Sequence, residues 1–277
     1  VSESSNIALK LVSGELKLTR SAQKIVRALL ANYPAAGLST VAELAEVSGV
    51  SGPTVIRFTK DLGFNSFKDF QDALRVELSE RETSTLQQVT HQKENSQTQT
   101  LVSAVASSLN TIPLKDLNQA VQYLSDAKRR IFAVGGDYSE IAAAHLVLQL
   151  TQLRPHVSEL PVKSVLAAAA LCDAKKGDVL CVYDVRRYSK HTLQIAQAAK
   201  NQGLKLLLFT DKWLSPITGF SDAVIPAEVV TGNTNDSSVA LLAVTELLCN
   251  QVSEHLDKEG TARLEKLDAI RLQIEQN

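Results

Sequence analysis

The sequence holds no methionine, one tryptophan (Trp213) and three cysteines, and only 5% of its 277 residues are aromatic. The cysteines (Cys172, Cys181, Cys249) are odd in number and far apart, which excludes a disulfide scaffold and suits a reducing compartment. We read them as small buried hydrophobes. Apolar runs are short and broken by charges, so no membrane-spanning helix is expected. The first ten residues carry Glu3, Ser4, Ser5 and Asn6 where a secretion signal has basic and then apolar residues. No signal peptide is expected, and the protein should be cytoplasmic. There is no internal repeat and no charge block. The 29 basic and 30 acidic residues leave a net charge of −1, which excludes wholesale coating of a polyanion. Hydrophobic residues at 44% and charged residues at 21% describe an ordinary globular chain, long enough for two domains.

Two blocks with different periodicities flank a polar bridge. Before it, every periodic segment is helical; after it, apolar β-branched runs alternate with helices. The stretch TSTLQQVTHQKENSQTQT (83–100) is rich in Thr, Gln and Ser, and some helix is expected there because it holds no Gly or Pro. We set the domains at 1–82 and 109–277, with 83–108 as linker.

The first block predicts helices over LTRSAQKIVRALLAN, VAELAEVS, SGPTVIRFTKDLG and SFKDFQDALRVELSER. Its centre has the register of a helix-turn-helix. Ala45 is followed four residues later by Gly49, then by Val50, Val55 and Phe58. A small residue allows the helices to cross closely, Gly allows a positive φ in the turn, and the later apolar residues pack the second helix back. Pro53 fits the first turn of that helix. The residues left outward are then positioned for DNA. Ser51 and Thr54 suit phosphate, Arg57 suits a guanine edge, and Lys60 and Lys68 suit phosphate. Between 17 and 68, Lys17, Arg20, Lys24, Arg27, Arg57, Lys60 and Lys68 outnumber Glu43, Glu46 and Asp61. That modest surplus implies few phosphate contacts per subunit and a half-site reader that binds as a dimer or tetramer. A helical hairpin used only for packing is the alternative.

The second block predicts five strands, in IFAVGG, HVSELP, DVLCVYDV, KLLLFTD and AVIPAEVV, with helices between and after them. Continuous apolar strands alternating with helices mean a doubly wound parallel sheet. Ligands in such sheets bind beyond the carboxyl ends of the strands. The loops after the first and third strands therefore supply the ligand residues: Gly135, Gly136 and Ser139, then Asp184, Arg186, Arg187 and Ser189. Both loops open helices whose N-termini favour an anion, and arginine adds a fork for carboxylate or phosphate. An Asp184–Arg pair that only shapes the turn is the alternative. The first loop lacks the third Gly of a dinucleotide fingerprint, and no cofactor or metal is expected.

The segments LTRSAQKIVRALL and TVAELAEVSGVSGPTVIRFTKDLGFNSFKDFQDAL resemble the N-terminal domain of RpiR/MurR-type bacterial transcription regulators. The second block is similar to the SIS (sugar isomerase) domain that follows it in that family. The resemblance spans roughly 15 to 260. It implies an all-α helix-turn-helix domain followed by an α/β SIS domain with a five-stranded parallel sheet. It also implies a homodimer or homotetramer that binds operator DNA and senses a sugar phosphate or related anionic metabolite. The chain departs from the family's phosphate loop, Ser-x-Ser-Gly-x-Thr, because Asp184, Arg186, Arg187 and Ser189 stand at its four defined positions. A sugar acid is therefore a second effector class.

Two other readings follow from the same residues. An aldose–ketose isomerase would need a general base, for which His145, His191 and Glu228 are the candidates. Alternatively the SIS module dimerises and is blind to ligand. Trp213 reads as packing, and the amphipathic C-terminus (Leu264, Leu267, Ile270, Leu272, Ile274) reads as a subunit interface.

Overall fold

The computed structural model describes residues 7–12, 19–82, 97–231 and 235–275. The N-terminal domain is all helix: α1 (Ile7–Val12), α2 (Arg20–Ala31), α3 (Ala35–Leu38), α4 (Val41–Ser48), α5 (Gly52–Asp61) and α6 (Phe67–Glu82). Local chemistry sets the boundaries. Thr19 caps α2 by accepting the Ala22 amide. Thr40 and Glu43 form a reciprocal capping box on α4. Ile25, Leu29, Leu44, Val55, Phe58, Phe70 and Leu74 point inward and form the core of the domain.

The first part of the expected linker, 83–96, lies outside the described residues. Its second part is α7 (Gln97–Thr111), which packs on the long last helix and buries Ala104 and Ser108. The boundary drawn at 109 therefore falls inside a helix, because two inward positions of a polar-looking stretch were enough to seat it. Next come α8 (Leu114–Ser125), β1 (Ile131–Gly135), α9 (Glu140–Leu153), β2 (Val157–Glu159), α10 (Ser164–Cys172), β3 (Val179–Tyr183), α11 (Lys190–Asn201) and β4 (Lys205–Thr210). A 3-10 helix (Pro216–Phe220), β5 (Ala223–Pro226) and α12 (Val239–Glu275) complete the chain. The sequence reading did not separate out α1, α3, α8 or the 3-10 helix. α12 kinks at Asp257, where φ is 42° and ψ is −113°.

The sheet is five-stranded and all parallel, in the order β2-β1-β3-β4-β5. Strands β1, β3, β4 and β5 are buried on both faces, apart from the first residue of β4. Alternate residues feed two cores. Ile131, Ala133, Val179, Cys181, Tyr183 and Phe209 pack with helices α8, α9 and α12. Phe132, Val134, Leu180, Val182, Leu206 and Leu208 pack with α10 and α11, and that core runs on into the helical domain. Strand order reverses between β1 and β3, since the chain adds β2 on one side of β1 and β3 to β5 on the other, and the carboxyl ends of these two strands are where a sheet of this order takes a ligand.

Candidate functional site: a recognition helix and a sheet-edge mouth

The turn between α4 and α5 has the conformation that the Gly49 register required. Gly49 adopts φ 61° and ψ 44°, and its amide and that of Val50 return to Glu46 O and Ala45 O at 3.0 Å each. A Cβ at Gly49 would meet nothing within 4 Å, so backbone conformation and not crowding calls for glycine there. Val55, Phe58 and Thr59 turn inward on α5. Pro53, Arg57 and Lys60 are exposed on the opposite face. The Ser51 and Thr54 hydroxyls lie 2.8 Å apart and hydrogen bond to each other, which leaves one O–H for an outside acceptor. Lys68 is exposed in the first turn of α6, off the recognition helix. Lys17 lies outside the described residues. Ile56 was not singled out in the sequence, yet it is 41% exposed beside Arg57. Its signal was available, because Ile56 falls between the inward positions Val55 and Phe58.

At the sheet edge, the β1 loop folds back on itself. Gly135 closes β1 beneath the next helix, where a Cβ would stand 2.5 Å from the Glu140 nitrogen. Ser139 is buried; its Oγ donates to Tyr183 O at 2.7 Å and accepts the Gly136 amide at 2.9 Å. These three residues lock the β1 loop to β3, and Asp137 and Tyr138 form the exposed tip.

The β3 loop is a charged network that reaches into the loop after β4. Asp184 is buried. It accepts the Ser189 amide at 3.3 Å and the Ser215 hydroxyl. The Arg186 side chain is 1% exposed, and its Nε pairs with Asp236 at 3.0 Å. The Arg186 amide donates to Asp211, which also accepts the Tyr188 hydroxyl at 2.7 Å and the Trp213 amide at 3.0 Å. Arg187 is exposed with φ 69°. Non-glycine residues rarely hold that conformation, so an arginine occupies a glycine-like backbone at the family's Gly position. Ser189 caps α11 by accepting the Thr192 amide at 3.4 Å. Burial pushes the Asp184 and Asp211 carboxyls up to about 6 from the usual 3.8.

The seven sequence-picked residues thus fall into different roles. Gly135, Gly136 and Ser139 shape the loop; Asp184 and Arg186 are buried in the network; Arg187 presents the exposed cation, and Ser189 caps the helix. Sequence reasoning missed Tyr188, Asp211, Ser215 and Asp236. Asp211 stands one residue past β4, where the carboxyl-end rule places it, although the sequence reading takes its ligand residues from the loops of β1 and β3 alone. Two buried atoms on this network have no partner among the described residues, Trp213 Nε1 and Asp236 Oδ1.

The isomerase candidates are not gathered. His145 Nε2 meets Glu246 at 3.2 Å, and His191 Nε2 meets Val162 O at 2.9 Å. Glu228 accepts the Val230 amide at 3.1 Å and lies 3.6 Å from Lys212 Nζ. Among the described residues, no helix is long and apolar enough to cross a membrane.

A helix-turn-helix domain joined to a doubly wound parallel sheet is the architecture of a two-domain transcription regulator. Residues 5–81 match the helix-turn-helix domain of the rpiR family, and residues 123–251 match the SIS domain. The chain belongs to the RpiR family of helix-turn-helix transcription regulators with a C-terminal SIS domain. It is 28% identical to an uncharacterized HTH-type transcriptional regulator of Haemophilus influenzae, over 84% of this chain and 82% of that one. It is 24% identical to another from Clostridium perfringens, over 92% and 94%. The Vibrio vulnificus NanR protein complexed with ManNAc-6P shares the fold, with a TM-score of 0.57 at 19% identity, covering 98% of this chain and all of that one (100%).

Proposed function

We propose that this regulator binds operator DNA through α5 and senses a phosphorylated sugar or related anionic metabolite at the mouth between β1 and β3, without catalysing a reaction on it. The observation that carries the reading is the buried charged network at the switch point, with Arg187 exposed at its rim and two unmatched polar atoms on it. The likeness in fold to a protein solved with ManNAc-6P supports it. Arg187 and the α11 N-terminus offer charge and amides to the anion. Trp213 Nε1 and Asp236 Oδ1, both buried, supply a donor and an acceptor for hydroxyls once the loops part to admit the ligand. Asp184 opposes a dianion, so binding favours its protonated form.

On the DNA side, Arg57 takes a guanine edge and Ile56 a thymine methyl. Ser51, Thr54, Lys60 and Lys68 hold phosphates. Residues 1–82 form the reading head and 109–277 sense and dimerise, and of the connecting stretch 83–108 the part in α7 is seated on the sensing domain. Two or four chains in the cytoplasm present their heads to a palindromic site.

The test is a thermal-shift screen of the full chain against sugar phosphates, sugar acids and plain carboxylates. An effector at 100 times its Kd adds about 2.7 kcal/mol. A shift that is lost in Arg187→Ala supports the site. A ligand-blind module is the second reading, favoured by the closed Arg186–Asp236 pair. It stands if no compound shifts melting.

A further inference from the structure

We infer that the 3-10 helix Pro216–Phe220 is the element through which the ligand loop moves the DNA-reading head, and that Ser215 is the positioning residue that joins them. This rests on the effector-sensing reading above and adds the route by which sensing reaches DNA.

Ser215 is 1% exposed and is bonded in two directions. Towards the ligand mouth, its hydroxyl donates to Asp184, and its amide donates to Thr210 Oγ1 at 3.0 Å. Thr210 Oγ1 in turn donates to the Asp184 carbonyl at 2.8 Å. The base of the β3 loop is therefore held by the residue that starts the 3-10 helix. Towards that helix, the same Ser215 hydroxyl caps it by accepting the Ile217 amide at 3.2 Å. The preceding Leu214 is fully buried with φ 58°, a left-handed turn that only a closely packed surround sustains.

The far side of the 3-10 helix lies on the N-terminal domain. It contacts α2, and it also contacts α11, the helix opened by the ligand loop. Ile217 is fully buried in the core that contains Ile25 and Leu29 of α2. Gly219 makes the closest approach. A Cβ there would sit 3.0 Å from Ala31 Cα and 3.3 Å from Leu30 O, backbone atoms that cannot turn aside. The contact is backbone on backbone. α2 packs on both α4 and α5, so a shift of α2 re-aims the recognition helix. Close-packed interiors pass small displacements on instead of absorbing them.

The test reads this route with neither effector nor DNA. Asp184→Asn in the full-length chain keeps the oxygen that accepts the Ser189 amide and puts an amide nitrogen opposite the Ser215 hydroxyl, which reverses that bond and takes the acceptor from the Ser215 O–H. Amide hydrogen exchange is then compared with that of the parent chain, by peptide. The expected result is an at least threefold change in exchange within 216–220 and within α2. In a Gly219→Ala background the α2 response should vanish, while the response in 184–189 persists. The inference is overturned if the Asp184→Asn effect stops within the C-terminal sheet, or if α2 responds equally in the Gly219→Ala background. Should Gly219→Ala not fold, the first comparison decides alone. A chain that binds no effector in the thermal-shift screen but shows this exchange pattern would refute the sensing reading and keep the route.

Discussion

Replacing Asp211 by Asn isolates the buried charge at the centre of the mouth. Asp211 is fully buried and accepts the Arg186 amide, the Tyr188 hydroxyl and the Trp213 amide. Despite these donors, burial pushes its carboxyl up to about 6 from 3.8. The native state therefore binds the proton more tightly than the unfolded chain does. The stability this group contributes is present when it is protonated and is lost as pH rises through about 6. Linkage with those two values gives the parent chain on the order of 1 kcal/mol from this carboxyl between pH 7.5 and pH 5. Asn does not titrate. It also turns two amide hydrogens on the Arg186 N–H, at about 1–3 kcal/mol, a penalty that is the same at both pH values. The readout is the parent-minus-variant stability in urea, followed by the fluorescence of Trp213, the only tryptophan, two residues along. That difference should grow by on the order of 1 kcal/mol on acidification. A flat or shrinking difference would refute the buried, proton-holding Asp211.

Other perturbations test the remaining parts. Gly49→Ala should cost about 1–2 kcal/mol in thermal denaturation from positive φ alone, because its Cβ meets no atom; no loss would mean that the turn is not left-handed. Arg57→Ala should remove about 1–3 kcal/mol of discrimination at one base pair per half-site, read by competition among point-substituted duplexes. Ile56→Ser should make binding indifferent to deoxyuridine in place of one thymidine, a change that weakens the parent chain. Asp184→Asn should flatten the pH dependence of effector affinity. The parent should bind a sugar acid more tightly as pH falls from 8 towards 6, because the anion favours the protonated Asp184; equal slopes by calorimetry would remove Asp184 from the site.

The fold was legible because its signals are local. Inward residues on α2, α4 and α5 recur at helical spacing, and four of the five strands, β1, β3, β4 and β5, are short apolar runs. The helix-turn-helix was readable from Ala45, Gly49, Val50, Val55 and Phe58, since a turn that needs positive φ demands a particular residue. α7 reads as linker because it opens on Gln and Thr and carries apolar residues on both its faces, with Val102 and Leu109 exposed and Ala104 buried, so no one-sided stripe marks it. The mouth was half legible. Gly135, Ser139, Asp184 and Ser189 follow strands directly, so the rule about carboxyl ends found them. The partners Asp211, Ser215 and Asp236 depend on which strand lies beside which. The order β2-β1-β3-β4-β5 sets β4 beside β3, and spacing along the chain does not contain that order. The burial of Arg186 was equally out of reach, since its partner Asp236 is 50 residues away.

The most direct measurement is fluorescence anisotropy of the full chain on a duplex recovered by in-vitro selection, with and without each member of the sugar-phosphate and sugar-acid panel. The account expects a two-fold-symmetric site bound far more tightly than random DNA, and at least one metabolite that changes Kd fivefold or more. That change should be absent in Arg187→Ala. Binding no tighter than to random sequence, or a Kd that no metabolite moves, would contradict a metabolite-responsive operator reader.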